Sequence, residues 1–353
     1  MTLSNRIKTF DRLGRFLSQF KFQEHEKLNL EENEKFYSAF ELLINRAEES
    51  NGWFTKEQVY FAIEGWASLL SKSNLEEWLV PYNLSDSSSE KSIGVIMAGN
   101  IPLVGFHDFI SVLISGNKIQ AKMSSNDPHF IPMISLLLKH YDPYFKERIQ
   151  ITTESLEGFD AVIATGSDNT ARYFDYYFGK YPNIIRHNRN SIAVLNGKET
   201  EEELERLGED IFRYFGLGCR NVSKIYVPED YNFDKLFQGL YKYKSLTNNQ
   251  KYMNNYDYNK AVFLMSLEKN MLENGFIVLK EDSSFSSPIA TLFYEKYSDD
   301  SALKKVLDNN KENIQCTVGS NDLCTVAFGQ AQRPNLNDYA DGVDVIRFLQ
   351  NLG

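Results

Sequence analysis

Apolar side chains at Ile7, Phe10, Leu13, Phe16, Leu17 and Phe20 recur every three or four positions, the spacing that lines one face of an α-helix. The chain keeps this helical rhythm to about Leu84. Thr55 with Gln58, and Asn74 with Glu77, pair a capping side chain with a partner three residues on, a pattern that starts helices. The polar run SDSSSEK (85–91) then reads as a linker or turn. Beyond it the period changes. SIGVIMA (92–98), KIQAK (118–122), DAVIAT (160–165) and SIAVL (191–195) are short apolar runs of buried-strand type, with helical patterns at 106–114, 128–139 and 169–178 between them. Strands alternating with helices predict a doubly wound α/β sheet, which binds ligands at the carboxyl ends of its strands.

Thr200 with Glu203 predicts another helix, running to about Phe215, whose acidic first turn suits the positive end of the helix dipole. After GLGCRNVSKIYVP the alternation resumes, with strands expected at 224–227, 276–279, 289–294 and 314–318. Helices are expected at 233–243, 258–270 and 302–309, so the second half forms another α/β domain. The domains expected are a helical segment at 1–90, an α/β domain at 91–213, a second α/β domain at 214–330 and a tail at 331–353.

The chain has 353 residues, with 38 Lys+Arg against 48 Asp+Glu and a net charge of −10. An acidic field of this kind disfavours nucleic acid and anionic lipid surfaces as partners. The three cysteines (Cys219, Cys316, Cys324) and five histidines form no Cys-x-x-Cys or His-x-x-x-His pair, so neither a zinc site nor a disulfide framework is expected. The first residues lack the apolar core of a secretory signal. The longest apolar stretch, 94–115, is interrupted by Asn100, Pro102, His107 and Asp108, too polar for a membrane span of about 20 residues. A cytoplasmic protein with reduced thiols is the expectation.

Cys219 lies in Gly216-Leu217-Gly218-Cys219-Arg220, between a helix and a strand, where glycines allow close approach of a ligand and Arg220 favours the thiolate if its charge turns inward. By residue type alone a buried structural thiol is the commoner outcome. Three strand-to-helix turns add to the picture. AGNIPLVG (98–105) carries Asn100, SGNKIQAK (115–122) ends in Lys122, and ATGS (164–167) places Gly166 and Ser167 where helix N–H groups receive a phosphate. No G-x-G-x-x-G is present. His107 and Asp108 read as structural, and Cys316 and Cys324 as residues of strand cores.

In their order, these motifs resemble the aldehyde dehydrogenase superfamily over about residues 92–328, with helical material in front. The length and the tail FGQAQRPNLNDYADGVDVIRFL (328–349) are most similar to its acyl-CoA reductase (LuxC-type) branch. The resemblance implies two doubly wound α/β domains, cofactor-binding and catalytic, behind an N-terminal helical segment. It also implies Cys219 as nucleophile, with Asn100 and the Cys219 N–H stabilising the oxyanion. Lys122 then matches the lysine that holds the adenosine ribose, and Gly166 with Ser167 the turn beside the pyrophosphate.

Three departures refine that reading. The run Arg186-His187-Asn188-Arg189-Asn190-Ser191 stands where oxidative relatives carry the Glu that activates water, so a thioester intermediate is spared hydrolysis. His187, beside that place, is a candidate proton donor, with a surface or supporting role as its alternative. Ser125 stands where NAD-using relatives carry an acidic residue, which admits the 2′-phosphate of NADPH, with NADH the other admissible donor. Ser283-Ser284-Phe285 keeps the Phe of the nicotinamide-ribose motif and loses its Glu.

The expected activity is NAD(P)H-dependent reduction of an acyl-CoA or acyl-carrier thioester to the aldehyde by a homodimer or homotetramer, without nucleic acid, metal or membrane insertion. A γ-glutamyl-phosphate-type reductase and a non-catalytic scaffold that kept the fold remain open, and a Cys-His hydrolase is a weaker third option.

Overall fold

The computed structural model describes residues 1–23, 26–84, 90–166, 168–266 and 270–352. The chain divides into two compact units, Met1–His187 with Asn335–Gly353, and Asn188–Pro334.

The first unit begins with four helices, α1 (Leu3–Leu17), α2 (Asn33–Ser50), α3 (Lys56–Leu69) and α4 (Lys72–Leu79). All six residues of the opening apolar stripe are buried, and Phe16 and Phe20 meet Phe40 of α2 at ring-centroid distances of 5.5 and 4.8 Å. Thr55 sits at the cap of α3 as expected, without a side-chain capping bond. Asn74 lies inside α4, whose cap is Ser71, accepting the Asn74 N–H at 3.3 Å. The sheet that follows comprises β1 (Ser92–Ile96), β2 (Lys118–Lys122), β3 (Ile149–Thr152), β4 (Ala161–Thr165) and β5 (Asn183–Arg186), in the order β3-β2-β1-β4-β5. All of its pairings are parallel. Helices α5 (Phe106–Ile114), α6 (Phe130–Tyr141) and α7 (Asp168–Phe178) make the crossovers. The strand order reverses between β1 and β4, which opens a crevice at their carboxyl ends. The edge strands β3 and β5, four residues each and only partly buried, lack the long apolar run that marked the other three.

The end of the chain completes this unit. Helix 345–350 buries Val345, Ile346 and Leu349. Trp78 Nε1 donates to the Tyr339 hydroxyl at 2.8 Å and the Tyr82 hydroxyl donates to Asp344 at 2.7 Å.

The second unit holds β6 (Asn190–Val194), α8 (Glu201–Phe212), β7 (Val222–Pro228), α9 (Phe233–Leu240), α10 (Gln250–Met265), β8 (Met271–Glu273), β9 (Val278–Glu281), β10 (Thr291–Tyr297), α11 (Asp300–Asn309) and β11 (Ile314–Val318). Its sheet runs β11-β6-β7-β10-β9-β8, parallel except for β8 against β9. The SIAVL run is β6, hydrogen-bonded between β7 and β11, so the units divide at 187/188 where the sequence placed the boundary at 213/214. The Thr200–Glu203 capping box is fully formed. α10 starts eight residues before the expected position, because Asn249 accepts the Tyr252 N–H and caps it there.

Candidate functional site

Four of the candidate residues leave the carboxyl ends of neighbouring strands in the first unit. Asn100 is exposed on the loop after β1, Lys122 is the half-buried last residue of β2, Ser125 is exposed three residues on, and Gly166 lies between β4 and α7. Ser167 lies outside the described residues. The loops carrying Asn100 and Ser125 touch each other. A Cβ at Gly99 would come within 2.5 Å of Ser124 Oγ and 3.0 Å of the Asp127 nitrogen, so only glycine fits. Asp127 Oδ2 accepts the N–H of Leu103, a residue held at φ 59°, at 3.1 Å. Asn51 Nδ2 donates to the Gly99 and Asn126 carbonyls at 3.4 and 3.2 Å. Burial pushes the Asp127 carboxyl up to about 6, against the pull of backbone N–H groups from Leu103 and Phe130.

His187 is exposed immediately after β5. Its neighbour Arg186 is buried in a two-pronged pair with Asp108 of α5, at 2.5 and 2.7 Å, and reaches Thr165 Oγ1 at 3.3 Å. His107 is half-buried with Nε2 2.8 Å from the Leu336 carbonyl, and desolvation lowers its pKa. The structural reading of His107 and Asp108 stands.

In the second unit Cys219 is exposed, whereas Cys316 is buried in β11. Cys324 lies in a turn after β11, not in a strand. Its Sγ donates to Asn321 Oδ1 at 3.0 Å, and burial pushes its thiol up to about 11. The chain reaches Cys219 through three consecutive residues in the left-handed region, Tyr214 (φ 53°), Phe215 (φ 57°) and Gly216 (φ 80°). Each of the two non-glycine residues stores about 1–2 kcal/mol of strain. Such a turn strands the last carbonyls of α8, and Asn221 satisfies them. Its Nδ2 donates to Asp210, Ile211 and Arg213 carbonyls at 3.1, 3.3 and 2.7 Å, while its Oδ1 accepts the Gly218 N–H at 2.8 Å. Ser191 Oγ donates to the Cys219 carbonyl at 3.1 Å. Arg220 Nε donates to the Ala331 carbonyl at 2.6 Å.

Phe285 is half-buried on a loop before β10 that is held from beneath by β7. Ser223 Oγ donates to the Phe285 carbonyl at 2.6 Å. The fully buried Lys224 donates to the Ser283 carbonyl at 2.7 Å and pairs with Glu295 at 2.6 Å, with its ammonium 5.0 Å from the Phe285 ring. Asp127, Asp210, Asn221 and Lys224 were not singled out in the sequence. For Lys224 a signal was present, a cation inside the apolar strand VSKIYV, which a buried position tolerates only when paired.

The described residues contain no cluster of three or more His, Cys, Asp or Glu side chains able to hold a metal. No helix among them is long and apolar enough to cross a membrane.

A family model described as acyl-CoA reductase (LuxC) matches residues 1–240. A long-chain acyl-protein thioester reductase of Aliivibrio fischeri is 25% identical over 228 residues, 59% of this chain and 47% of the relative. A second such reductase, from Photobacterium leiognathi, is 25% identical over 249 residues, 65% of this chain and 51% of the relative. The chain thus spans about half the length of these curated relatives. Among solved structures, aldehyde dehydrogenase 21 of Physcomitrella patens superposes with a TM-score of 0.62 at 12% identity, covering 100% of this chain and 84% of that one. The P. syringae indole-3-acetaldehyde dehydrogenase AldA gives 0.59 at 12% identity, covering 90% and 72%. The fold is therefore the two-domain α/β fold of the aldehyde dehydrogenase superfamily with a helical N-terminal extension.

Proposed function

Because the chain belongs to the acyl-CoA reductase (LuxC) family, whose model spans residues 1–240 of it, we propose that it reduces an acyl thioester to the aldehyde through an acyl-enzyme on Cys219. The observation that carries this reading is the contrast among the cysteines. Cys219 is exposed on a strained, side-chain-braced turn, while Cys316 is buried and Cys324 half-buried. The names of the two curated relatives support a thioester donor, acyl-CoA or an acyl-carrier thioester, over an acyl phosphate.

In this reading the Cys219 thiolate attacks the thioester carbonyl and the donor's thiolate leaves. Asn100 and the Cys219 N–H stabilise the oxyanion formed on the way. His187 protonates the departing thiolate. The residues that would hold NADPH, or NADH, are Lys122, Ser125, the turn at Gly166 and Phe285, and the cofactor would supply the hydride that reduces the acyl-enzyme. The residues fit such a ligand. The loops leave adjacent parallel strands at the switch point, Lys122 is a donor to hydroxyls, and no carboxylate stands at 125 to repel a phosphate. Residues 186–191 offer no carboxylate to activate water, so the acyl-enzyme persists until reduced. The same reading has the protein act in the cytoplasm, with reduced thiols, and as a homodimer or homotetramer, the latter as its resemblance to the superfamily implies.

The test is incubation with a long-chain acyl-CoA in the absence of reductant. Peptide mass mapping should find the acyl group on Cys219, none in Cys219→Ala, and its discharge as aldehyde when NADPH is added. An unmodified Cys219 in protein that turns over with NADPH would overturn the proposal.

A further inference from the structure

Asp210 lies in the last turn of α8, and no part of it reaches solvent. Its Oδ2 accepts the Gly329 N–H at 2.6 Å and its Oδ1 the Ala331 N–H at 2.8 Å. The carbonyl of Ala331 in turn accepts Arg220 Nε at 2.6 Å. On the other side, the backbone carbonyl of Asp210 accepts Asn221 Nδ2, and Asn221 Oδ1 accepts the Gly218 N–H. Both neighbours of Cys219 in the chain, Gly218 and Arg220, are therefore tied to the same aspartate, one through Asn221 and one through the peptide of Ala331.

The geometry points to Asp210 as a positioning residue for the Cys219 thiol, acting through the Ala331 backbone to fix the Arg220 side chain that follows it in the chain. This rests on the reading of Cys219 as the nucleophile. The device depends on the charge of the aspartate. Ionised, it offers two charged oxygens to the two N–H groups; protonated, one oxygen becomes an O–H donor and a much weaker acceptor, so one of the two bonds is weakened. Burial pushes this carboxyl up to about 7, the Gly329 and Ala331 N–H groups opposing. The other groups that face it are Glu209 on its own helix, which is paired with Arg213, Arg220 from the Cys219 loop, and Tyr243, whose hydroxyl donates to the Glu205 carbonyl. Tightening and release of the strap thus fall near neutral pH, and an asparagine at 210 copies the released form, with one acceptor and one donor.

The experiment measures alkylation of Cys219 by iodoacetamide from pH 5.5 to 9.5 at about half-unit steps, with the three thiols resolved by peptide mass mapping. Neither acyl donor nor reductant takes part, so this result and the acylation result fail independently. In the wild type the rate should show an inflection near pH 7 in addition to that of the thiol itself. D210N should lose that inflection and react about three- to tenfold more slowly at pH 8, the change expected if the thiol loses a neighbouring cation that shifts its pKa by about 0.5–1 unit. R220M, which cuts the other end of the link, should show the same slow rate and the same missing inflection. A folded D210N with the wild-type profile would overturn the proposal, and so would an R220M protein that reacts as the wild type does. Should D210N fail to fold, R220M alone decides on the same two outcomes.

Discussion

At the carboxyl edge of β1 and β2, the buried carboxyl of Asp127 takes the N–H of Leu103, 24 residues away. Beside the Cys219 loop, the buried carboxyl of Asp210 takes the N–H groups of Gly329 and Ala331, 119 and 121 residues away. Both groups hold a loop by accepting backbone hydrogen bonds, and burial pushes both upward, to about 6 and about 7. The difference lies in what must fold first. The first edge is assembled by two adjacent strands and the short loops after them, with Asn51 of the preceding helical segment donating to both loops, whereas the second exists only when the chain has built the whole second sheet and come back. Preorganisation of the β1–β2 edge is therefore reached within residues 51–127, and that of the Cys219 loop is a property of the complete unit.

A third buried carboxylate marks the limit of this comparison, since Asp108 is bonded on both oxygens by a guanidinium, where the bonds to the other two come from backbone N–H groups. Asp108→Ala leaves the Arg186 guanidinium buried without its carboxylate, and breaking such a pair costs about 3–5 kcal/mol. Urea unfolding should show a loss of that size, the largest of the set. A loss below about 1 kcal/mol would mean that the pair's attraction barely exceeds its desolvation, and the edge at β5 would then be no better braced than the others.

Next in size is Asn221→Ala. It removes the side-chain partner of two carbonyls of α8, of the Arg213 carbonyl just after it and of the Gly218 N–H. We expect about 2 kcal/mol from the unfolding midpoint, the range for buried backbone groups left unsatisfied, together with slower alkylation of Cys219. Destabilisation without any change at Cys219 would show that the turn keeps its shape through its own packing, and would weaken the contrast between a locally held and a remotely held loop.

The same distinction explains what could be read from the sequence. Three strands of the first sheet and helix 106–114 were legible because apolar runs and strand-Gly-helix turns are local patterns, and the Thr200–Glu203 capping box formed as written. β3 and β5 were missed, since a short half-exposed edge strand such as NIIR has too few apolar positions to set a period. SIAVL was recognised as a strand but placed with the wrong neighbours, because pairing with β7 and β11 is decided by residues that come later in the chain. Cys219 stood out by its glycines. The groups that hold its loop did not, for an Asp near the end of an acidic helix and an Asn after Arg220 look like ordinary surface residues until Gly329 and Ala331 return to meet them.

The smallest effect separates the two carboxyls themselves. Asp127 has a folded-state pKa near 6 against an ordinary value of 3.8, so the native protein binds more protons than the unfolded chain between those values. The stability this group contributes is fully present below about pH 4 and is lost as pH rises through about 6. D127N has no such proton to lose. Relative to D127N, the wild type should therefore lose roughly 1–2 kcal/mol between pH 4 and pH 7 and change little above that, a difference read from melting curves across the range. For Asp210 the sign is the same and the window extends through about 7, so between pH 6 and 7 the corresponding difference against D210N should grow faster than the D127N difference, which is by then approaching its plateau. If both differences level off at the same pH, the two loops are held by electrostatically equivalent carboxyls. Only the distance along the chain would then distinguish them, and the Cys219 loop would have no pH response that the β1–β2 edge lacks.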